Sequence, residues 1–214
     1  MVTTFTRWFL PQRCAQCHAV TVYRYCERCL TSFPLQPQLH LSDSGIPIVS
    51  LSPYDAAMKS VIHDIKFAGD RDLAVQIGNC LARVDRASVL PAWDSAEWVM
   101  VPVPSVASRT AKRGFHHVEI LFAALGIAWD IPLIPAVIRS KETAHLHTLG
   151  KQARWAETDH AFTMILPDSI RHKQVLIVDD ILTTGATLDA MSVTLMQAGA
   201  AGVHCLVLAT GKRT

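Results

Sequence analysis

The chain has 214 residues, of which 50% are apolar and 18% charged, with a formal net charge of +2 and a sequence pI near 8.3. That composition excludes a disordered chain and suits one α/β domain of ordinary size with a small appendage. The charge is too small for a nucleic-acid coat, so any anionic partner must be met by local basic clusters.

The first residues, MVTTFTRWFLPQRC, hold only Trp8-Phe9-Leu10 as an apolar run, and no stretch approaches the roughly 18 apolar residues of a membrane helix. The expectation is a cytoplasmic protein without membrane insertion. Four cysteines follow in two pairs, CAQC (Cys14, Cys17) and CERC (Cys26, Cys29), spaced C-x2-C-x8-C-x2-C. Each pair can wrap one tetrahedral ion through a tight turn, and four thiolates with no open position are the chemistry of structural zinc. A disulfide framework belongs to short secreted chains, and a redox dithiol to a thioredoxin-like unit that the flanking sequence lacks. Arg7, Arg13, Arg24 and Arg28 surround the pairs. They either offset the doubly negative tetrathiolate or meet a nucleic-acid backbone, and the sequence leaves both open.

The proline-rich stretch Ser32 to Ile48 reads as a linker, which gives a zinc knuckle with linker over residues 1–40 and a second domain over 41–214. From Tyr54 onward helix and strand patterns alternate. Met58, Val61, Ile62 and Ile65 fall at helical spacing, as do Leu73, Ile77, Leu81 and Val84. The run WVMVPV (Trp98 to Val103) predicts a buried strand, and Val118, Leu121, Phe122 and Leu125 mark another amphipathic helix. IPLIPAVI and AFTMIL read as strands around a polar stretch, while VLIV and VHCLVLA are apolar strands flanking a helix from about Gly185 to Ala198. Cys80 and Cys205 lie in apolar segments as buried structural thiols. Strands buried on both faces and joined by helices imply an α/β, doubly wound, mostly parallel sheet, in which ligands sit beyond the carboxyl ends of the strands.

The sharpest signal is VLIVDDILTTGAT, Val175 to Thr187. After a central strand, Asp179 and Asp180 would emerge together at the ligand-binding edge, where vicinal hydroxyls or a divalent cation would satisfy both carboxylates. Thr183, Thr184, Gly185, Ala186 and Thr187 then supply hydroxyls and a flexible backbone at a helix start, which suits a phosphate. A diol and a phosphate a few ångströms apart describe a ribose 5-phosphate.

This stretch resembles the thirteen-residue phosphoribosyl-pyrophosphate signature of type I phosphoribosyltransferases. The resemblance implies that Asp179 and Asp180 take the ribose hydroxyls and that Thr183 to Thr187 cradle the 5-phosphate. Purine-salvage members carry an aspartate at the position of Thr183, so a simple purine enzyme does not fit. VPVPSVASRTAKRGFHHVEILF brings Arg109, Lys112 and Arg113 before Gly114 with no acidic residue from Ser105 to His117. From charge alone an ordinary solvated loop and an anion-binding one stand equal; the family places a pyrophosphate loop here, with Mg²⁺ bridging the pyrophosphate oxygens. Arg139 to Phe162 is long and polar, and the resemblance implies a mobile lid, with structureless filler as the alternative. Lys66 lies in HDIKFAGD, similar to a Lys-Phe-x-Gly-Asp motif, and the resemblance implies that it approaches the pyrophosphate; a helix-ending glycine is the plain alternative.

The knuckle, Lys-Phe-x-Gly-Asp, Pro-Val-Pro with Lys-Arg-Gly-Phe, and the ribose-phosphate signature occur in the order of the ComF competence-protein family, also called GntX-like or amidophosphoribosyltransferase-like. The resemblance implies a phosphoribosyltransferase-like protein of natural transformation, with candidate catalytic residues Asp179, Asp180, Arg113 and Lys66. Its alternative is a non-catalytic nucleotide sensor or an adaptor for single-stranded DNA and a competence helicase. Where the family usually shows Asn-Gln, this chain has His116 and His117, and in the lid Leu146 and Glu157 replace a glutamine and an asparagine. His116, His117, His145 and His147 read as scattered surface histidines rather than a second metal site.

Overall fold

The computed structural model describes residues 11–90, 98–139 and 161–211. Cys14 and Cys17 lie in the turn of a small hairpin, β1 (Gln12–Arg13) against β2 (Val20–Thr21), and Cys26 and Cys29 at the start of and within the short helix α1 (Glu27–Thr31). The stretch expected as a linker is partly regular: β3 (Gln38–Leu41) pairs antiparallel with β4 (Pro47–Pro53). Gln-Leu-His-Leu alternates with the period of a strand, and Pro47 opens β4, a position where a missing N–H is tolerated.

Helix α2 (Ala56–His63) starts at Asp55, whose carboxylate accepts the Met58 N–H at 2.8 Å. It runs into a π-helical turn, Asp64–Ala68, that ends at Gly69 with φ of 69°. Asp70 then caps α3 (Arg71–Leu81) by accepting from the Leu73 N–H at 3.0 Å. The Gly-Asp half of the Lys-Phe-x-Gly-Asp motif is therefore helix punctuation, and Lys66 sits within the π-turn itself. The remaining elements are β5 (Trp98–Pro102), α4 (Ala107–Arg113), α5 (His117–Trp129), β6 (Val137–Arg139), β7 (Phe162–Met164), β8 (Gln174–Leu182), α6 (Ala186–Gln197) and β9 (Gly202–Thr210).

The main sheet has the order β3-β4-β9-β8-β5, and β4, β9, β8 and β5 are parallel. Val175, Leu176, Ile177 and Val178 are each 0% exposed, as a central strand covered on both faces requires. Leu176 and Val178 join the cluster of α2, α3 and α5, while Val175 and Ile177 join that of α6, so the fold is doubly wound as expected. Burying one such side chain contributes about 1.5–3 kcal/mol. At Gly78 a Cβ would stand 2.9 Å from the Leu121 carbonyl oxygen. Only glycine allows that approach of α3 to α5. The short strands β6 and β7 form a separate antiparallel pair.

The knuckle is fastened to this core. Cys14, Tyr25, Cys29 and Leu30 pack in the same cluster as Leu73, Ile77 and Leu81, and the buried Cys80 thiol donates to the Leu30 carbonyl at 3.3 Å. Cys205 is buried too, at 1% exposure, as expected of a structural thiol. Arg24 ion-pairs through Nε with Asp64 in the π-turn, with side-chain exposures of 44% and 11%. Arg24 thus serves domain docking, a role the sequence does not suggest. Replacing Arg24 with Ala strands a mostly buried carboxylate, at a cost of about 1–3 kcal/mol after allowing for the exposed arginine. For a chain of this size the expected fall in Tm is about 3–10 °C in thermal melts. Arg24→Ala combined with Asp64→Asn should lose less than the sum of the singles; strict additivity would show that the pair does not couple.

Candidate functional site

The register of the central strand sets the site. Pairing with β5 ends at Pro102 opposite Val178, whereas pairing with β9 continues to Leu182 opposite Thr210. Asp179 and Asp180 therefore lie inside β8, on the part that overhangs β5, and do not emerge together beyond its end as the sequence suggests. Successive strand residues face opposite sides of a sheet, so the two carboxylates part company.

Asp180 turns toward the helices and is 4% exposed. Lys66 Nζ stands 2.8 Å from each of its oxygens, and His117 Nε2 bonds Oδ2. Asp179 is half-buried, and its Oδ1 accepts the Asp180 N–H at 2.8 Å. Burial pushes the Asp179 carboxyl well above the usual range, and the Asp180 anion adds to that, with Lys66 and Arg139 opposing. Burial would raise Asp180 as well, but the His117 hydrogen bond and the Lys66 charge outweigh it and hold Asp180 below the usual range. Adjacent carboxyls with opposite shifts are the signature of divided roles.

Arg109, Lys112 and Arg113 do not form the loop expected between Ser105 and His117; they lie on α4, which ends at Gly114 with φ of 82°. Arg109 and Lys112 are exposed. Arg113 turns inward, where Nε donates to the Lys66 carbonyl at 2.9 Å and Nη1 to His117 Nδ1 at 2.6 Å. His116 is exposed, whereas His117 is 5% exposed, so the surface reading of the histidine pair fails at His117. The signal present in the sequence is helical phase: His117 precedes Leu121 and Leu125 by four and eight positions, on the buried face of α5.

On the opposite side of β8, Thr183 and Thr184 are exposed, Thr187 is half-buried, and Ala186 opens α6. Gly185 takes φ of 92°, a left-handed conformation that favours glycine. No side chain caps α6; the nearest substitute is a 3.4 Å hydrogen bond from the Ala186 N–H to Thr184 Oγ1. The first turn of α6 thus offers N–H groups to an anion. Arg139 and Phe162 pair at the base of the polar stretch, with the guanidinium 5.4 Å from the ring centroid. The rest of the expected lid, with His145, Leu146, His147 and Glu157, lies outside the described residues, as does Arg7.

Ligand atoms of Cys14, Cys17, Cys26 and Cys29 all lie within 4.8 Å of one another, and Cys17 Sγ is 3.5 Å from Cys26 Sγ. A tetrahedral Zn–S₄ centre has sulfur–sulfur edges of about 3.8 Å, so the cluster fits this metal. Burial would raise the Cys14 thiol, but hydrogen bonds from the backbone of Cys17, Cys26 and Gln16 outweigh it and bring it down to about 6, whereas the hydrogen bond with Cys17 and burial push Cys29 up to about 12, so the metal-free thiols hold their charge unevenly. Among the described residues no second group of this kind occurs.

Lys66→Met tests the buried anion. The depressed pKa of Asp180 contributes stability that is complete above its unfolded value of about 4 and is lost as pH falls through the folded value. Without Lys66 that depression shrinks. Acid unfolding followed by circular dichroism should then begin at higher pH, with a loss of about 1–3 kcal/mol at neutral pH. An unchanged acid transition would mean that Lys66 does not stabilise the Asp180 anion.

Residues 111–214 match the phosphoribosyl transferase domain family. The chain is 31% identical over 187 residues to the DNA utilization protein YhgH of Salmonella typhimurium, covering 84% of this chain and 74% of that protein. It is 30% identical over 201 residues to the YhgH protein of Escherichia coli, covering 89% of this chain and 81% of that one. With Competence protein F of Haemophilus influenzae the identity is 25% over 194 residues, covering 87% and 79%. The acid-bearing strand, the uncapped threonine-glycine turn and these relationships agree: the chain belongs to the ComF family of phosphoribosyltransferase-type proteins.

Proposed function

We propose that the protein binds phosphoribosyl pyrophosphate, with Mg²⁺, at the carboxyl edge of its sheet. One observation carries the reading: an overhanging acidic strand, an uncapped helix N-terminus and a basic helix gather at one edge. Asp179 accepts from the ribose hydroxyls. Its raised pKa means that the empty site penalises its charge, and hydroxyl donors relieve that penalty. Thr183, Thr184, Ala186 and Thr187 hold the 5-phosphate across the turn at Gly185. Arg109 and Lys112, exposed on α4, face the pyrophosphate together with Gly114. Asp180, Arg113 and Lys66 take a different part from the catalytic one that the resemblance implies: each is already engaged with another of the three or with His117, so they support the site from beneath.

Among the described residues no three carboxylates or histidines cluster as a ready-made Mg²⁺ site, and Mg²⁺ ordinarily keeps several waters and binds through substrate phosphates. Bound there, it would neutralise developing charge on the pyrophosphate oxygens. In the transfer reading, a nitrogen nucleophile forms a bond to C1 of the ribose as the C1–O bond to pyrophosphate breaks, and the nitrogen's proton passes to solvent. Positioning and electrostatics then supply the rate.

The names of the relatives, DNA utilization protein and Competence protein F, favour a role in DNA use and competence, and we place the protein in DNA uptake and natural transformation, in the cytoplasm. No helix among the described residues is long and apolar enough to cross a membrane. In the second reading the pocket senses a nucleotide while the knuckle meets single-stranded DNA or a competence helicase. Arg13 and Arg28, both exposed, are its candidate contacts, since Arg24 is engaged by Asp64.

Calorimetric titration of phosphoribosyl pyrophosphate tests the pocket. Wild type should bind with Mg²⁺, and Asp179→Asn should bind about 10- to 100-fold more weakly. Absence of wild-type binding overturns both readings of the pocket. Binding without pyrophosphate release across a panel of bases and amines favours the sensing reading over transfer. For the knuckle, Arg13→Ala with Arg28→Ala should abolish salt-dependent binding of single-stranded DNA; retention would remove the knuckle from that interface.

A further inference from the structure

His117 sits between the acidic and basic halves of the site, and its two ring nitrogens have different partners. Nδ1 is 2.6 Å from Arg113 Nη1 and 3.4 Å from Ser105 Oγ, while Nε2 faces Asp180 Oδ2. A guanidinium offers only donors and an ionised carboxylate only acceptors. The contacts therefore admit one form of the ring: neutral, with its hydrogen on Nε2. An imidazolium would set a second N–H against the Arg113 N–H. The other tautomer would turn a lone pair toward the Asp180 oxygen.

We propose that His117, as this neutral Nε2–H tautomer, is a positioning residue for the phosphoribosyl site: it fixes the spacing between the Asp180 carboxylate on β8 and the Arg113 guanidinium on α4. The acidic strand and the basic helix then meet the ligand in a set geometry. This role rests on the proposal that the site binds phosphoribosyl pyrophosphate.

The surroundings agree with a neutral ring. Charged and polar groups face it from each packed element: Asp180 from β8, Arg113 from α4, Lys66 from the π-turn, and Ser105 from the connection after β5. Burial, with Arg113 and Lys66, pushes the imidazole below its ordinary value against the pull of Asp180. Arg113 also donates to the Lys66 carbonyl, and Lys66 holds both Asp180 oxygens. The ring thus closes a circuit of four residues with Asp180, Lys66 and Arg113, and without it Arg113 and Asp180 are linked by hydrogen bonds only through Lys66, by its backbone carbonyl and its ammonium.

The chemistry of the replacement separates positioning from filling space. Glutamine carries an accepting oxygen and a donating nitrogen side by side, as the required tautomer does. Asparagine carries the same groups one methylene short. Phenylalanine fills the cavity and offers neither.

Two measurements test the role, both on the full chain. The ¹⁵N shifts of its labelled histidines, with His117 assigned by its loss in His117→Gln, should show an unprotonated Nδ1 and a protonated Nε2 at neutral pH. Titration of phosphoribosyl pyrophosphate with Mg²⁺ should show about 10- to 100-fold weaker binding for His117→Phe and His117→Asn, with His117→Gln recovering most of that loss. Should the Phe variant fail to fold, the contrast between Asn and Gln carries the test. An imidazolium, an Nδ1–H tautomer, or Asn binding as tightly as wild type overturns the positioning role alone. No binding by wild type overturns the functional reading and the positioning role with it.

Discussion

The buried anion of Asp180 is the constraint around which the ligand edge is built. A carboxylate at 4% exposure is costly unless it is paired and hydrogen-bonded, and Asp180 is both. Its partners come from distant parts of the chain: Lys66 lies 114 positions away and His117 lies 63. Satisfying one charge therefore draws together the π-turn after α2, the start of α5 and, through Arg113, the end of α4. The π-turn has a physical part in this scheme. Such a turn carries an extra residue relative to an α-helical one, which re-aims the side chains on it, and π-turns recur at functional sites. Here the re-aimed residue is Lys66.

The same turn receives the four-cysteine knuckle. Asp64 takes Arg24, two residues before Lys66 takes Asp180, so one stretch of irregular helix is gripped from the knuckle side and from the sheet side. The shared core of Cys14, Cys29 and Leu30 with α3 strengthens that grip. A metal held by all four cysteines would have no open coordination position and no chemistry of its own to offer a ligand. The knuckle reaches the site through Asp64 and the π-turn.

Legibility in the sequence follows the strength of local pattern. Continuous apolar runs announce β5, β8 and β9, and helical spacing announces α2, α3 and α5, because burial dictates those residues directly. Helix α4 reads as a loop because its seven residues lack an apolar stripe; Gly114 at its end and the basic last turn are the signals present. The end of β8 reads too early because the aspartate pair interrupts the apolar run after Val178, whereas the strand is prolonged through Leu182 by pairing with β9 on one side only. That overhang is a tertiary fact. His117 misleads for a similar reason: its type suggests the surface, while its phase on α5 and the anion above it put it inside. The four cysteines are legible because metal geometry imposes spacing on the sequence itself.

The paired aspartates are legible as a site but not as two roles. Adjacent positions on a strand cannot serve one ligand equally, since they leave on opposite faces. Asp180 goes inward, where His117 and Lys66 keep it charged, and in doing so it places a fixed negative charge beside Asp179. That charge, added to desolvation, makes an ionised Asp179 unfavourable in the empty protein. A group that brings hydroxyl donors or positive charge to Asp179 removes the penalty, while a merely apolar or anionic visitor does not. On the proposed binding of phosphoribosyl pyrophosphate with Mg²⁺, the buried Asp180 anion would thus favour a ligand that brings hydroxyls or a cation to Asp179.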